Sequence, residues 1–254
     1  MKEKVVLAGA RGRMGTLVAR AIAESDDMGL VAAIDPVGGM VEGLDVLPPE
    51  RMREALVRSG ARVLVDFTNT DAAYQNAMLA AELGVNLVVG TTGLSPEQLE
   101  EVRGAVQGRV AAVVAPNFAL GVNVLLAISR QMAGMLGGFD VEIIETHHRA
   151  KRDAPSGTAM ALYQAVLDGR GENLPVKHGR SGLDPRGEEV GVHAVRGGDI
   201  VGEHTVLFAG AGERLELTHR ASSRQGFVDG ALHAVRWLRR RPPGLYTMAD
   251  VLGL

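Results

Sequence analysis

Through its first half the chain alternates short apolar runs with stretches of helical spacing. The runs "KVVLAGA", "LVAAID", "ARVLVDFT", "VNLVVGTTG" and "RVAAVVAPN" are valine-rich and end at glycine, proline, asparagine or aspartate, which predicts five strands. Between them the pattern predicts helices from about Met14, from about Asp71 and from Pro96. In the first helix Met14, Leu17, Val18, Ala21 and Ile22 recur at the 3, 4, 7, 8 spacing that lines one helix face with apolar side chains. Pro96 suits a first turn, where the donor it lacks has no partner to lose. Strands and helices that alternate in this way build a doubly wound parallel sheet covered on both faces, expected here over residues 1–117.

After Asn117 the pattern changes. A long apolar helix, "GVNVLLAISRQMAGML", leads to the strand "DVEIIETHH", a polar loop and the helix "SGTAMALYQAVLDG". A polar, glycine-rich stretch then runs to about Glu189, and "VGVHAVRGGD", "EHTVLFAG" and "ERLELTHRAS" follow as three strands separated by turns. That succession suits an α+β domain with a mixed open sheet over residues 118–225. From Gly226 the segment "GFVDGALHAVRWLRR" again has helical spacing, in Phe227, Ala231, Ala234, Val235 and Leu238, and residues 226–254 are expected to rejoin the first domain.

Composition narrows the partners. With 27 basic and 30 acidic residues in 254, the net charge of -3 offers no electrostatic footprint for nucleic acid. No run of eighteen apolar residues occurs and "MKEK" leads straight into "VVLAGA", so the expectation is a cytoplasmic protein with no membrane partner. The chain contains no cysteine, which excludes disulfides, thiolate nucleophiles and thiolate metal sites; no metal site is expected. Chemistry must come from histidine, lysine, carboxylates or a cofactor.

Gly9, Gly12 and Gly15, in "VVLAGARGRMGTLVA", stand between a predicted strand and a predicted helix. Their G-x-x-G-x-x-G spacing departs from the strict dinucleotide fingerprint, yet the physics is the same: a close backbone approach and a helix N-terminus aimed at a pyrophosphate. Asp35 ends the second strand twenty residues after Gly15, where a carboxylate can accept from a ribose hydroxyl. The ends "VVGTTG" and "VVAPNF" carry small or amide side chains at the carboxyl edge of the sheet, where open α/β sheets hold ligands. Each feature alone is also what packing glycines or a turn aspartate would give; together they favour a Rossmann-like domain holding a nicotinamide dinucleotide. No G-K-[ST] follows the glycines, which argues against a P-loop. Arg11 and Arg13 could reach a 2'-phosphate, whereas Asp35 would repel one, so NADH and NADPH both remain open.

The stretch "ETHHRAKRDAPSGTA" gathers the remaining chemistry. Ser156 is a good N-cap, and the amides of Gly157 and Thr158 then lie in a first helical turn, where a carboxylate is stabilised. Lys151 is one of only four lysines. His147 or His148 can hold and deliver a proton near neutrality. A solvated polar loop is the plain alternative; a small dicarboxylate substrate is the functional one.

The segment "EIIETHHRAKRDAPSGTA", together with "GARGRMG", "GTTG", "APNFALGVNVLL", "VRGGDIVGEHTV" and "LELTHRASSR", closely resembles the bacterial 4-hydroxy-tetrahydrodipicolinate reductase (dihydrodipicolinate reductase) family over nearly the whole chain. The resemblance implies NAD(P)H-dependent reduction of a cyclic dicarboxylate on the diaminopimelate route to lysine. It implies His147 as general acid and Lys151 as its charged partner, with His148, Ser156, Gly157 and Thr158 touching substrate. It also implies dinucleotide contacts from Gly9, Ala10, Arg11, Gly12, Arg13 and Met14, from Asp35, from Gly90, Thr91 and Thr92, and from Ala115, Pro116, Asn117 and Phe118. A homotetramer built on the second domain's sheet is implied as well. Some relatives carry arginine just after the strand-two acid, where Pro36 stands here, so the reading leans to NADH. Arg224 resembles a hinge or domain-interface position. Two other functions remain as rivals: a dinucleotide-sensing regulator and a related amino-acid dehydrogenase.

Overall fold

The computed structural model describes residues 2–254. In chain order the elements are β1 (Glu3–Ala8), α1 (Arg13–Ala23), β2 (Met28–Ile34), β3 (Met40–Val41), β4 (Leu44–Leu47), α2 (Met52–Ser59), β5 (Val63–Asp66), α3 (Thr70–Glu82), β6 (Asn86–Val89), α4 (Pro96–Val106) and β7 (Ala111–Val114). There follow α5 (Leu120–Met135), β8 (Asp140–His147), α6 (Gly157–Arg170), β9 (Val176–His178), β10 (Val190–Arg196), β11 (Gly202–Gly210), β12 (Glu213–Ala221), α7 (Gln225–Leu238), β13 (Gly244–Tyr246) and α8 (Met248–Leu252). They form two units, one from the chain up to Ala119 with Gln225–Gly253 and the other from Leu120–Arg224.

The first unit is built on one sheet of order β13-β7-β6-β5-β1-β2-β4-β3, parallel throughout except where β3 turns back along β4. The winding reverses at β1, whose neighbours are β2 on one side and β5 on the other. Such a reversal parts the loops at the carboxyl ends of β1 and β5 and leaves the crevice where doubly wound sheets bind ligands. Val6, Ala8, Leu64, Leu87 and Val89 of the strands pack with Leu56, Ala77 and Val102 of the helices in a continuous core. Each large apolar side chain fully buried there contributes roughly 1.5–3 kcal/mol.

The helices start where sequence provides a cap: Asn69 accepts from the Ala72 amide before α3, and Ser95 with Gln98 forms a capping box before α4. The apolar face of α1 is rotated from the one its large side chains predict. Gly15, Val18, Ala19 and Ile22 are buried, whereas Met14, Leu17 and Ala21 are half-buried. The small residues bring the helix backbone close: a Cβ on Gly15 would lie 2.0 Å from the Gly9 carbonyl oxygen. Four short elements, β3, β4, α2 and β9, and the pair β13 and α8 near the end of the chain, carry too few periodic positions to be read from pattern.

The second unit holds a mixed sheet of order β12-β11-β8-β10-β9, in which β8 runs antiparallel to β11 and parallel to β10. Side chains alternate along β8, so Val141, Ile143, Glu145 and His147 share the buried face. α5 and α6 supply its cover through Leu125, Ala133, Leu162 and Val166. These two helices meet backbone to backbone, since a Cβ on Gly169 would fall 2.0 Å from the Arg130 carbonyl oxygen. Two polar residues thus end an otherwise apolar row. Among the described residues no helix is long and apolar enough to cross a membrane.

Candidate active site

In the first unit the glycine turn is held by main chain. Gly9 takes φ of +76°, and a Cβ there would meet the Phe67 carbonyl oxygen at 2.4 Å, so only glycine fits between the ends of β1 and β5. Gly12 accepts no side-chain cap duty: α1 begins after it with its first-turn amides free of any capping side chain, unlike α3 and α4. An uncapped helix start beside a turn with no Cβ fits a pyrophosphate. Asp35 is buried, with Oδ2 accepting from the Arg11 amide (2.9 Å) and Oδ1 from the Val37 amide (2.9 Å). It is both the turn aspartate and a positioned acceptor, because each carboxylate oxygen has room for a further donor. Arg11 extends past it to the Met40 carbonyl, with Nη1 3.4 Å away, and Arg13 is exposed at the first position of α1.

The neighbouring loops converge on the same sheet edge. Gly90 lies against the Phe67 ring, where a Cβ would be 2.2 Å from Cε1. Thr91 donates to Asp66 Oδ1 (2.8 Å), and the Thr92 carbonyl accepts from Thr70 (3.0 Å). Asp66, unmarked in the sequence, is fully buried and also accepts from the Thr68 amide and from Asn76, so it fixes the loops after β5 and β6 together. Ala115 donates to the Val89 carbonyl (3.1 Å), Pro116 is exposed, and Asn117 accepts from the Ala119 amide (2.9 Å). Ala10 and Phe118 are buried; the Phe118 ring packs edge-on to Phe67 at 6.2 Å, so what these two can offer a ligand is main chain.

In the second unit Glu145 organises the polar end of the sheet. Its side chain is 0% exposed and all of its acceptor directions are used. Oε2 receives His147 Nδ1 at 2.5 Å and Arg196 Nη1 at 2.8 Å; Oε1 receives the Ser156 amide at 3.0 Å and Arg196 Nη2 at 2.8 Å. Ser156 caps α6 through the Ala159 amide (3.1 Å), and its Oγ lies 3.2 Å from His204 Nε2. The His204 ring stands edge-on to His147 at 5.2 Å. Lys151 pairs with Asp153 (2.9 Å), and the Asp153 carbonyl accepts from Arg196 Nη2 (2.6 Å). His148 is half-buried and its carbonyl accepts from the Lys151 amide (3.1 Å). Gly157, exposed, and Thr158, half-buried, form the start of α6.

The electrostatics follow from burial and this wiring. Burial works to raise the Glu145 carboxyl, but Arg196, His147 and the Ser156 amide outweigh it and hold the group below its ordinary value. Burial pushes His147 down against the pull of Glu145, with Lys151 and Arg196 adding to the depression. His204 is driven to about 4 by burial first and by the neighbouring His147 second, and burial also lowers His219. Burial thus outweighs the Glu145 carboxylate and His147 is neutral near pH 7; a dianionic ligand is the kind of further neighbour that would restore its proton.

The structure brings His147, Lys151, Ser156 and the first turn of α6 into one cluster, with His148 on the adjoining loop. Sequence reasoning missed Glu145, Arg196 and His204 as members. Glu145 had a signal: it sits two residues before His147 on a strand, hence on the same face. Arg196 and His204 lie in "VRGGDIVGEHTV", one of the segments that carry the resemblance, but its spacing does not show that Arg196 reaches Glu145, which it does through the β8–β10 register.

Family models described as "Dihydrodipicolinate reductase, N-terminus" and "Dihydrodipicolinate reductase, C-terminus" match residues 3–118 and 121–252. A Methanoculleus marisnigri protein named 4-hydroxy-tetrahydrodipicolinate reductase is 47% identical over 251 residues, covering 99% of both chains. A Methanothermobacter thermautotrophicus protein of the same name is 46% identical over 270 residues, again covering 99% of each. The dipicolinate-bound dihydrodipicolinate reductase from Paenisporosarcina sp. TG-14 matches with a TM-score of 0.83 and 26% identity over 98% of this chain and 99% of that one. The C. glutamicum DAP dehydrogenase, at 14% identity and a TM-score of 0.58, shares the fold.

Proposed function

The chain belongs to the dihydrodipicolinate reductase family, and from that premise we propose how its residues carry the reaction. The protein is an NAD(P)H-dependent oxidoreductase that reduces 4-hydroxy-tetrahydrodipicolinate to tetrahydrodipicolinate, with loss of water, on the diaminopimelate route to lysine. Family membership along the full chain decides against the regulator and the amino-acid dehydrogenase.

The observation that carries the assignment of roles is His147, 9% exposed and held against a buried carboxylate beside the capped start of α6 and Lys151. One substrate carboxylate is received by the amides of Gly157 and Thr158 and the dipole of α6, with Ser156 keeping that helix start in place. Lys151 leaves Asp153 to pair with the other carboxylate, and His148 borders the same loop. The dianion raises the proton affinity of His147, which donates its proton to the substrate ring; a reduced nicotinamide, when bound, would supply the hydride. General acid catalysis of this kind contributes roughly 10² to 10⁴ in rate.

A nicotinamide dinucleotide is the cofactor. Its pyrophosphate is assigned to the Gly9–Met14 turn and the uncapped start of α1, its ribose to Asp35, and its remaining contacts to Gly90–Thr92 and Ala115–Phe118. The Asp35 carboxylate followed by Pro36 supports a preference for NADH, and Arg11, reaching past Asp35, supports acceptance of NADPH as well. The second unit's sheet carries Ile144 and Val195 on the face opposite its helices, each more than a third exposed; this supports copies of the chain meeting there in a homotetramer. A reduced dinucleotide and a chain without cysteine suit the cytoplasm. Steady-state assays with freshly made substrate test the reading. Turnover is expected with both cofactors and a higher kcat/KM with NADH; absence of turnover refutes the activity, and a tenfold preference for NADPH refutes the cofactor assignment.

A further inference from the structure

On the assignment of His147 as proton donor, we propose that Glu145 and Arg196 are positioning residues: their buried pair dictates which imidazole nitrogen exchanges the proton and ties that ring to the Lys151 loop. The pair is not explained by stability. Burying two charges costs several kcal/mol in desolvation, and an apolar pair of similar volume is commonly as stable. What an apolar pair could not do is orient a proton donor.

An ionised carboxylate only accepts, so the 2.5 Å contact requires a proton on His147 Nδ1 in both the neutral and the charged ring. Nε2 is then the nitrogen that gains and loses the proton. It lies above Gly202, where a Cβ would stand 3.0 Å away, so the backbone there leaves the nitrogen uncovered by a side chain. Arg196 has two duties. Its fork on both Glu145 oxygens keeps the carboxylate ionised, so the imidazolium proton departs through Nε2 and does not return to Glu145. Its Nη2 also donates to the Asp153 carbonyl, and the Asp153 carboxylate holds Lys151, which links ring and loop through one guanidinium.

The groups around His147 are Glu145 on its own strand, Arg196 on β10, His204 on β11 with His219 of β12 beyond it, Ser156 at the α6 cap, and Lys151 with Asp153 on the loop. Glu145 is the sole anion whose oxygens reach the ring among these. A carboxylate that holds a histidine in one tautomer is the logic of nucleophilic triads, here turned to proton donation and clamped by an arginine.

The wild-type protein gives the first test, with no variant to misfold. In ¹⁵N spectra of histidine-labelled protein, neutral His147 is expected as the Nδ1–H tautomer; an Nε2–H tautomer overturns the inference. For Glu145→Gln kcat is expected to fall at least about 100-fold with KM within about threefold, and Glu145→Gln with Arg196→Met, which leaves no buried charge unpaired, should show the same fall in kcat with a raised KM, because the Lys151 loop loses its tie. The kcat–pH limb assigned to His147 should move to lower pH, because the imidazolium has lost its counter-charge. Added to His147→Gln, the same change should cost little more, as for groups that act as a unit. A folded Glu145→Gln protein with unchanged kcat and pH profile, beside an impaired His147→Gln, overturns this inference alone. A fully active His147→Gln overturns the proton-donor assignment and this inference together.

Discussion

Replacing Ser156 with alanine removes two interactions from a place water does not reach. Ser156 is 2% exposed; its Oγ accepts from the Ala159 amide at 3.1 Å and lies 3.2 Å from His204 Nε2. Loss of the cap costs about 1 kcal/mol, and a buried imidazole nitrogen left without a partner costs roughly 1–3 kcal/mol more. The second figure applies because His204 is buried, and among the described residues its Nδ1 has no partner either. The expected loss is therefore about 2–4 kcal/mol, a large part of a typical stability of roughly 5–15 kcal/mol. Ser95→Ala is the control, since it removes the cap of α4 at a partly exposed site and should cost only about 1 kcal/mol. Urea unfolding followed by far-UV circular dichroism measures both. Trp237, the single tryptophan, belongs to the first unit, so its fluorescence separates that unit's transition from the second's. Equal losses for the two variants, within about 0.5 kcal/mol, would refute the claim that Ser156 supports His204 as well as the helix.

Two further outcomes follow from the same cluster. Lys151→Ala should weaken inhibition by pyridine-2,6-dicarboxylate by about 10- to 100-fold, the value of a charge-assisted hydrogen bond of roughly 1.5–3 kcal/mol; an unchanged inhibition constant would place Lys151 away from the dicarboxylate. His204, held to about 4 when folded, is protonated first in the unfolded chain as pH falls, so its contribution is present above about 6.5, is lost between there and about 4, and is flat below. At about 1.4 kcal/mol per pKa unit the full loss is about 3 kcal/mol. His147 and His219, also lowered, act with the same sign. His204→Gln should accordingly make unfolding free energies at pH 7 and pH 4.5 differ less than in the parent, and an unaltered difference contradicts the burial argument.

Much of this arrangement was written in local pattern. Ser156 before "GTA" reads as a cap and is one, and the valine-rich runs of the first half became β1, β2, β5, β6 and β7 because each is long enough to show its ends. What escaped was set by register and by small residues. Arg196 meets His147 through strand pairing, and His204 reaches Ser156 from β11, 48 positions further along the chain. Neither distance leaves a trace in spacing. The face of α1 was misjudged because Gly15 and Ala19, though weakly apolar, are the residues that permit close approach to the glycine turn. Asp66 looked like the end of a strand, and only its bonds to Thr68, Asn76 and Thr91 make it the post on which two loops hang.

The split construction of the first unit bears on biosynthesis. Its sheet is completed by β13 against β7, and α7 packs so closely that a Cβ on Gly230 would stand 1.7 Å from the Phe118 carbonyl oxygen. A ribosome delivers all of Leu120–Arg224 before either piece. The nascent protein therefore has its second unit in hand while the first still shows an open sheet edge and an unroofed apolar surface. Synthesis of Gln225–Gly253 is the event that closes the dinucleotide-binding half, and truncations that remove this segment should injure that half first.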